Sequence, residues 1–338
     1  MRQKLKTYSV QLIKAKHKLA RVAVFLGLLA YGIIPLGAHA DDYPSKPIRI
    51  VVPFPAGSSA DVGTRQVAQK LSEQLRQSVI VDNRPGANGI IGAQSVAKAR
   101  PDGYTLLYVT SHVVAVNPHI IKDLGFDALK DFVPIIIAGS TPALLVVSAT
   151  SPYRSVQELI DAAKAAPGKL TYSTSGEGSP QHIMGEKLMK RAGINLIQVP
   201  YKGETLALQD LIAGEIDFAF GFPAGTMPHV RSGKLRALGI TSEQRLTAFP
   251  DVPTLMEAGL PGYREVTLGG YLVPRGTAPN IVKKLNDEIR TALLSLKREI
   301  AERGGHLIGS SPEQATTMLK AEYVRYGKLV KELGLKPQ

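Results

Sequence analysis

The chain has 338 residues, no cysteine, and 41 Lys+Arg against 28 Asp+Glu. Without cysteine there are no disulfides, no thiol catalysis and no cysteine-ligated metal. Seven of the basic residues fall in the first 40 positions, which contain no acid, so the remainder carries 34 basic against 28 acidic side chains, scattered singly, and argues against a nucleic-acid partner.

Those 40 residues read as a signal peptide. Basic residues from Arg2 to Arg21 precede an apolar run from Val22 to Gly37, and Ala38-His39-Ala40 places small residues where a signal peptidase cuts. The run is short for a spanning helix and is interrupted by Gly32 and Pro35, so cleavage near Asp41 and export to the periplasm are expected. About 298 residues remain, enough for two cores.

Ile48–Val52 reads as a strand that breaks into Pro53-Phe54-Pro55-Ala56-Gly57-Ser58-Ser59-Ala60-Asp61 and enters a helix with Val67, Leu71 and Leu75 on one face. A turn of this kind lies at the carboxyl end of a strand, where the N–H groups of the helix start suit an anion. The loop has no Lys or Arg and neither nucleotide-loop spacing, so a phosphate is not the expected ligand. Val79–Val81 and Thr105–Val109 are the next strands, with a small-residue helix Ile90–Ala99 between them. Thr110-Ser111-His112 then falls at the same sheet edge as the first loop.

The runs Val133–Ala138 and Leu144–Ser148 are separated by Gly139-Ser140-Thr141-Pro142 with no helix, which reads as a crossing between domains. Ser155 caps a helix that Pro167-Gly168 closes. Leu170–Ser173 feeds a second hydroxyl-rich loop, Thr174-Ser175-Gly176-Glu177-Gly178-Ser179, before a helix opened by Pro180. Strands at Leu196–Val199, Ile216–Phe220 and Leu235–Thr241 continue a doubly wound α/β pattern. Gly269–Val273 reads as the return crossing, followed by a long helix from Pro279 to about Glu302 and a last helix started by Ser311-Pro312 with Gln314 at capping-box spacing. The expected division is residues 43–138 with 266–338 as one domain and 139–265 as the other.

The chain resembles the Bug-type extracytoplasmic receptors, the solute-binding components of tripartite tricarboxylate transporters. The resemblance rests on Tyr43-Pro44-Ser45-Lys46-Pro47-Ile48-Arg49, Val51-Val52-Pro53-Phe54-Pro55, Asp82-Asn83-Arg84-Pro85-Gly86-Ala87, Pro101-Asp102-Gly103-Tyr104, Val199-Pro200-Tyr201-Lys202-Gly203, Gly233-Lys234-Leu235-Arg236-Ala237-Leu238 and Asp251-Val252-Pro253-Thr254. It implies a type II-like, Venus-flytrap periplasmic binding fold of two α/β domains, each a mainly parallel sheet flanked by helices. It also implies a small carboxylate ligand, a membrane permease partner and no cofactor or metal, in a protein expected to be a monomer. The ligand residues implied are Phe54, Gly57, Ser58, Ser59, Ala60 and Asp61 in the first loop, Thr110 and Ser111 in the second, and Thr174, Gly176, Gly178, Ser179 and His182 in the third.

Tyr201, Lys202 and Phe222 are further candidates. The first two could bring a phenol and an ammonium to the ligand, or pack the rim and face solvent. Where the family tends to write Pro-Gly-Gly-Gly-Thr-Asp, this chain has Ala56-Gly57-Ser58-Ser59-Ala60-Asp61, and where it often places Asp-Asn, this chain has Gly221-Phe222. The loss of an acid there predicts a preference for plain carboxylates over amino acids. The rival readings are a sensory subunit using the same pocket and a hydrolase. The sequence has no G-x-S-x-G elbow and no H-E-x-x-H, which leaves the hydrolase only a pairing of Ser111 with His182.

Overall fold

The computed structural model describes residues 43–335 and residue 337; the signal-peptide reading at residues 1–40 lies outside the described residues. From Pro44 onward the chain forms one compact unit built on two sheets.

The first sheet holds β1 (Ile48–Val52), β2 (Val79–Asn83), β3 (Thr105–Thr110), β4 (Phe132–Pro142), β10 (Val266–Pro274) and β11 (His306–Leu307), in the order β11-β4-β10-β3-β1-β2. The second holds β5 (Leu144–Ser148), β6 (Thr171–Thr174), β7 (Ile197–Pro200), β8 (Phe218–Gly221) and β9 (Leu235–Ile240), in the order β7-β6-β8-β5-β9. Both sheets are mixed. β10 pairs antiparallel with β3 and β4, and β5 pairs antiparallel with β8 and β9. These two strands stand next to the crossings, and each must run against its neighbours because it enters its sheet from the other one.

Helices cover the sheets because most strands are apolar on both faces. In β5, Leu144 and Val146 enter one core with Leu208, Leu211 and Met227, while Leu145 and Val147 enter another with Tyr172, Phe218 and Tyr263, as a two-residue period requires. In the first sheet Val51, Leu107 and Val109 pack with Val113, Leu272 and Leu319.

The helices are α1 (Ser59–Leu75), α2 (Ile90–Ala97), α3 (Asn117–Ile120), α4 (Val156–Ala165), α5 (Pro180–Ala192), α6 (Glu204–Ala213), α7 (Pro223–Arg231), α8 (Pro279–Ser295), α9 (Lys297–Glu302) and α10 (Pro312–Glu332). The expected long helix after Pro279 is thus two helices, with Leu296 between them. α7 fills the helical stretch expected between the strands at Ile216–Phe220 and Leu235–Thr241, whereas α3 and the short π-helical stretch His112–Val116 ahead of it were not foreseen. Ser311 and Gln314 form the capping box that starts α10. Among the described residues no helix is long and apolar enough to cross a membrane.

β4 is eleven residues long, and only Ala143 separates it from β5. The outgoing and returning segments lie side by side, with Val266 opposite Pro142 and Thr267 opposite Thr141. Thr241 ties them together. Its hydroxyl accepts from the Ala143 N–H at 2.8 Å, its own N–H donates to the Ala143 carbonyl at 3.0 Å, and its carbonyl accepts from the Glu265 N–H at 2.8 Å.

Candidate functional site

Every loop nominated from the sequence begins at the carboxyl end of a strand and runs into a helix start. Ser58 caps α1 by accepting the Asp61 N–H at 3.3 Å, and Ser179 caps α5 by accepting the His182 N–H at 3.2 Å. α6 opens after Gly203 with no side-chain cap, and Phe222 precedes Pro223 at the start of α7.

Several nominated groups are occupied inside their own loops. Asp61, 2% exposed, accepts from the Gly57 N–H at 2.9 Å, Asn83 Nδ2 at 2.8 Å and Arg65 Nε at 3.0 Å. Burial pushes its carboxyl up, but these hydrogen bonds outweigh it and hold the group below the ordinary carboxylate range. Asp61 therefore shapes the loop, and the Gly57 N–H is spent on it. Ser111 Oγ accepts from the Leu268 N–H at 3.2 Å. Thr174 Oγ1 accepts from the Gly176 N–H at 3.1 Å, and His182 Nδ1 from the Gly178 N–H at 3.2 Å. His182 Nε2 lies 3.5 Å from Glu186. Tyr201 donates to Asp210 at 2.8 Å and packs on the Leu208 core, Lys202 is exposed, and Phe54 packs partly against the Val109 core.

What remains uncommitted is a smaller set. Ser59 Oγ, Thr110 Oγ1, Asn117 Oδ1, Gln181 Oε1 and Thr267 Oγ1 are buried polar atoms without a partner among the described residues. Such atoms cost free energy unless something completes them, so they mark where a polar ligand belongs. Ser59 and Ala60 add first-turn N–H groups. The sequence reading missed Asn117, Gln181 and Thr267. Gln181 sits one residue into its helix behind Pro180 and could have been found from that position; nothing in the sequence pattern distinguishes Thr267.

Residues from the two lobes meet beside one of these atoms, at Asn117. Asn88, in the turn before α2, donates from Nδ2 to the Glu177 carbonyl at 2.6 Å, and Asn117 Nδ2 donates to the Asn88 carbonyl at 3.2 Å. Gly178 lies so close to α3 that a Cβ there would sit 2.0 Å from Ile120 Cδ1.

On the second sheet, Thr174, Ser175, Gln181, Gly203, Glu204 and Gly221 line a recess at the strand ends. Glu204 was not nominated. Its Oε1 accepts the Phe222 N–H at 2.7 Å and stands 3.5 Å from Thr226 Oγ1. Burial pushes its pKa up to about 7, and the two hydrogen bonds only partly offset that. The expectation that Gly221-Phe222 leaves this side without an acid is therefore corrected: the first residue of α6 supplies one from a neighbouring loop, and Phe222 holds it by its backbone.

Two mixed sheets flanked by helices and joined by paired crossings are the architecture of a periplasmic binding protein. The chain belongs to the tripartite tricarboxylate transporter family receptors, whose family model matches residues 64–335. It is 35% identical over 322 residues to the protein BugT of Bordetella pertussis, covering 94% of this chain and 99% of that one. Among solved structures it is similar to an R. palustris protein with adipate, with a TM-score of 0.84 and 34% identity over 88% of this chain and all of that one. It is also similar to MatC from Rhodopseudomonas palustris with bound malate, with a TM-score of 0.80 and 28% identity over 85% of this chain and all of that one.

Proposed function

We propose that this receptor captures a small organic carboxylate between the β1–β4 lobe and the β5–β9 lobe and delivers it to the permease subunits of a tripartite tricarboxylate-type transporter. The mature protein starts near Asp41 and works as a monomer in the periplasm. The observation that carries this reading is the set of unpaired buried hydroxyls, Ser59, Thr110 and Thr267, which can donate to a carboxylate beside the helix starts at the strand ends. The adipate and malate held by its structural relatives support it. The domains are residues 43–138 with 266–338 and residues 139–265, and closure turns on the Ala143–Thr241–Glu265 tie. Binding is favoured over hydrolysis because His182 Nδ1 accepts the Gly178 N–H and Nε2 faces Glu186, which leaves no ring nitrogen to take a proton from Ser111.

A melting-temperature screen of C4–C6 mono- and dicarboxylates tests the ligand class. A ligand at about 100 times its Kd adds about 2.7 kcal/mol and should raise Tm by several degrees. The matching neutral amides should give no shift. A panel in which no carboxylate moves Tm, or in which the amides do as well, would overturn the proposal.

A further inference from the structure

A polar contact joins the two lobes away from the crossings. β2 is an edge strand three places from β10, and β6 stands two places from β5. At about 4.8 Å per strand, the loops that follow β2 and β6 lie roughly 14 and 10 Å from the strands that carry the crossings, so a contact there resists hinge rotation with a lever arm that one beside the crossings lacks. The contact is a chain of three residues. Asn117 Nδ2, at the start of α3, donates to the Asn88 carbonyl at 3.2 Å, and Asn88 Nδ2 donates across to the Glu177 carbonyl at 2.6 Å. Asn88 reaches that position through a strained turn, in which Gly86, Ala87, Asn88 and Gly89 have φ of +130°, +44°, +55° and +91°. Non-glycine residues keep such values only where their surroundings hold them, and asparagine is one of the few that tolerate them while also carrying an N–H donor. Ile183 of α5 shares an apolar cluster with Val116 and Ile120 of the first lobe. That contact has no direction, whereas the hydrogen bonds fix one register of the two loops.

We propose that Asn88 is a latch between the lobes: braced by Asn117, it holds the Thr174–Ser179 loop of the second lobe against the first, and so sets how long the closed receptor retains its ligand. The inference rests on the two-lobe receptor reading above and adds to it a positioning residue whose partner is the opposite lobe. Opening the lobes breaks the Asn88–Glu177 bond but leaves the Asn117 brace intact within the first lobe. The latch then re-forms from a donor already in place.

Two variants separate the donor from the backbone. Asn88→Gly leaves φ +55° free of strain and removes the donor, whereas Asn88→Asp keeps the shape and turns an acceptor toward the Glu177 carbonyl. The chain has no cysteine, so Ile80→Cys and Ile197→Cys, 53% and 46% exposed on the edge strands of the two sheets, can each take one spin label. Distances between the labels, measured by pulsed electron resonance in the ligand-free protein, should lengthen and broaden in both Asn88 variants, and more in Asn88→Asp. Stopped-flow kinetics with adipate and with malate give the second readout: dissociation should be about three- to tenfold faster in both variants, with association within about twofold of wild type. A residue that only packed its own loop would lower Tm instead, and Tm should stay within about 2 °C. A change in either the distances or the dissociation rate, shared by both variants, supports the latch. No change in either, or a change in Asn88→Gly alone, would overturn it. If neither diacid binds the wild-type protein, the carboxylate reading loses its support and the distances alone decide the latch.

Discussion

Glu265→Ala is expected to destabilise the protein by about 3–5 kcal/mol, the usual cost of breaking a buried ion pair from one side. Glu265 is 1% exposed and lies where the chain returns to the first sheet. Its carboxylate accepts from Tyr326 Oη at 2.5 Å, and stands 3.1 Å from Lys187 of α5 and 3.3 Å from Arg325 of α10. Burial pushes its pKa up, but Arg325 and Lys187, with smaller help from His112 and Tyr326, reverse the effect and hold it below the ordinary value. Removing it leaves the two cations without their shared anion and the Tyr326 hydroxyl without its acceptor. In a chain of this size Tm should fall by roughly 10 °C, and a drop under about 2 °C would show that the cluster re-solvates at little cost.

The same cluster predicts acid sensitivity. His112, 3% exposed, lies 3.3 Å from Tyr326 Oη, and burial lowers its pKa to about 4, with Glu265 opposing and Arg325 adding to the shift. The folded value lies below the unfolded one of about 6.5, so the stabilisation is complete above pH 6.5 and is lost as pH falls toward 4. Glu265 contributes in the same direction at lower pH. His112→Phe should flatten the slope of stability between pH 6.5 and 4; an unchanged slope would place the sensitivity elsewhere.

Gly178→Val is expected to weaken ligand binding by about 100-fold, or about 2.7 kcal/mol. Gly178 has φ +73°, and its Cβ would meet Ile120 Cδ1 at 2.0 Å and Asn117 Oδ1 at 3.3 Å. The substitution both strains the backbone by about 1–2 kcal/mol and drives the Thr174–Ser179 loop away from Asn88 and Asn117. Gly176→Ala separates the two effects, because φ there is +101° and no atom lies within 4 Å of the added Cβ. Its binding should fall far less. Equal losses in both variants would assign the effect to backbone strain alone.

Much of this was readable from the residues. The strand-to-helix loops announced themselves by the switch from apolar runs to Gly/Ser, and Ser58, Ser155, Ser179 and Ser311 all cap the helices that follow them. Chemistry within the loops was harder to read. Asp61, Gly57, Thr174, Gly176 and His182 looked like ligand groups because of where they stand, yet each is satisfied by a neighbour a few residues away. That choice between a local and a foreign partner depends on angles, which spacing does not record. Glu204 was hidden for another reason. It is four residues past Pro200 at the start of its own helix, and only folding brings it against Phe222, where its burial without a cation becomes visible. Glu265 and its partners are drawn from four segments far apart in the chain, so no motif could announce them.

A carboxylate held by uncharged donors between the two lobes should bind with little dependence on salt. Arg84 is engaged with Asp82 at 2.9 Å, Arg65 with Asp61, and no Lys or Arg lines the recess. Calorimetric titration of the best ligand from the screen, at about 20 mM and about 300 mM NaCl, tests this most directly. Binding through backbone N–H groups and hydroxyls predicts one site per chain and a Kd that changes by less than about threefold. A loss of tenfold or more, abolished by Lys202→Ala or Arg84→Ala, would make a basic side chain the anchor in place of the uncharged donors.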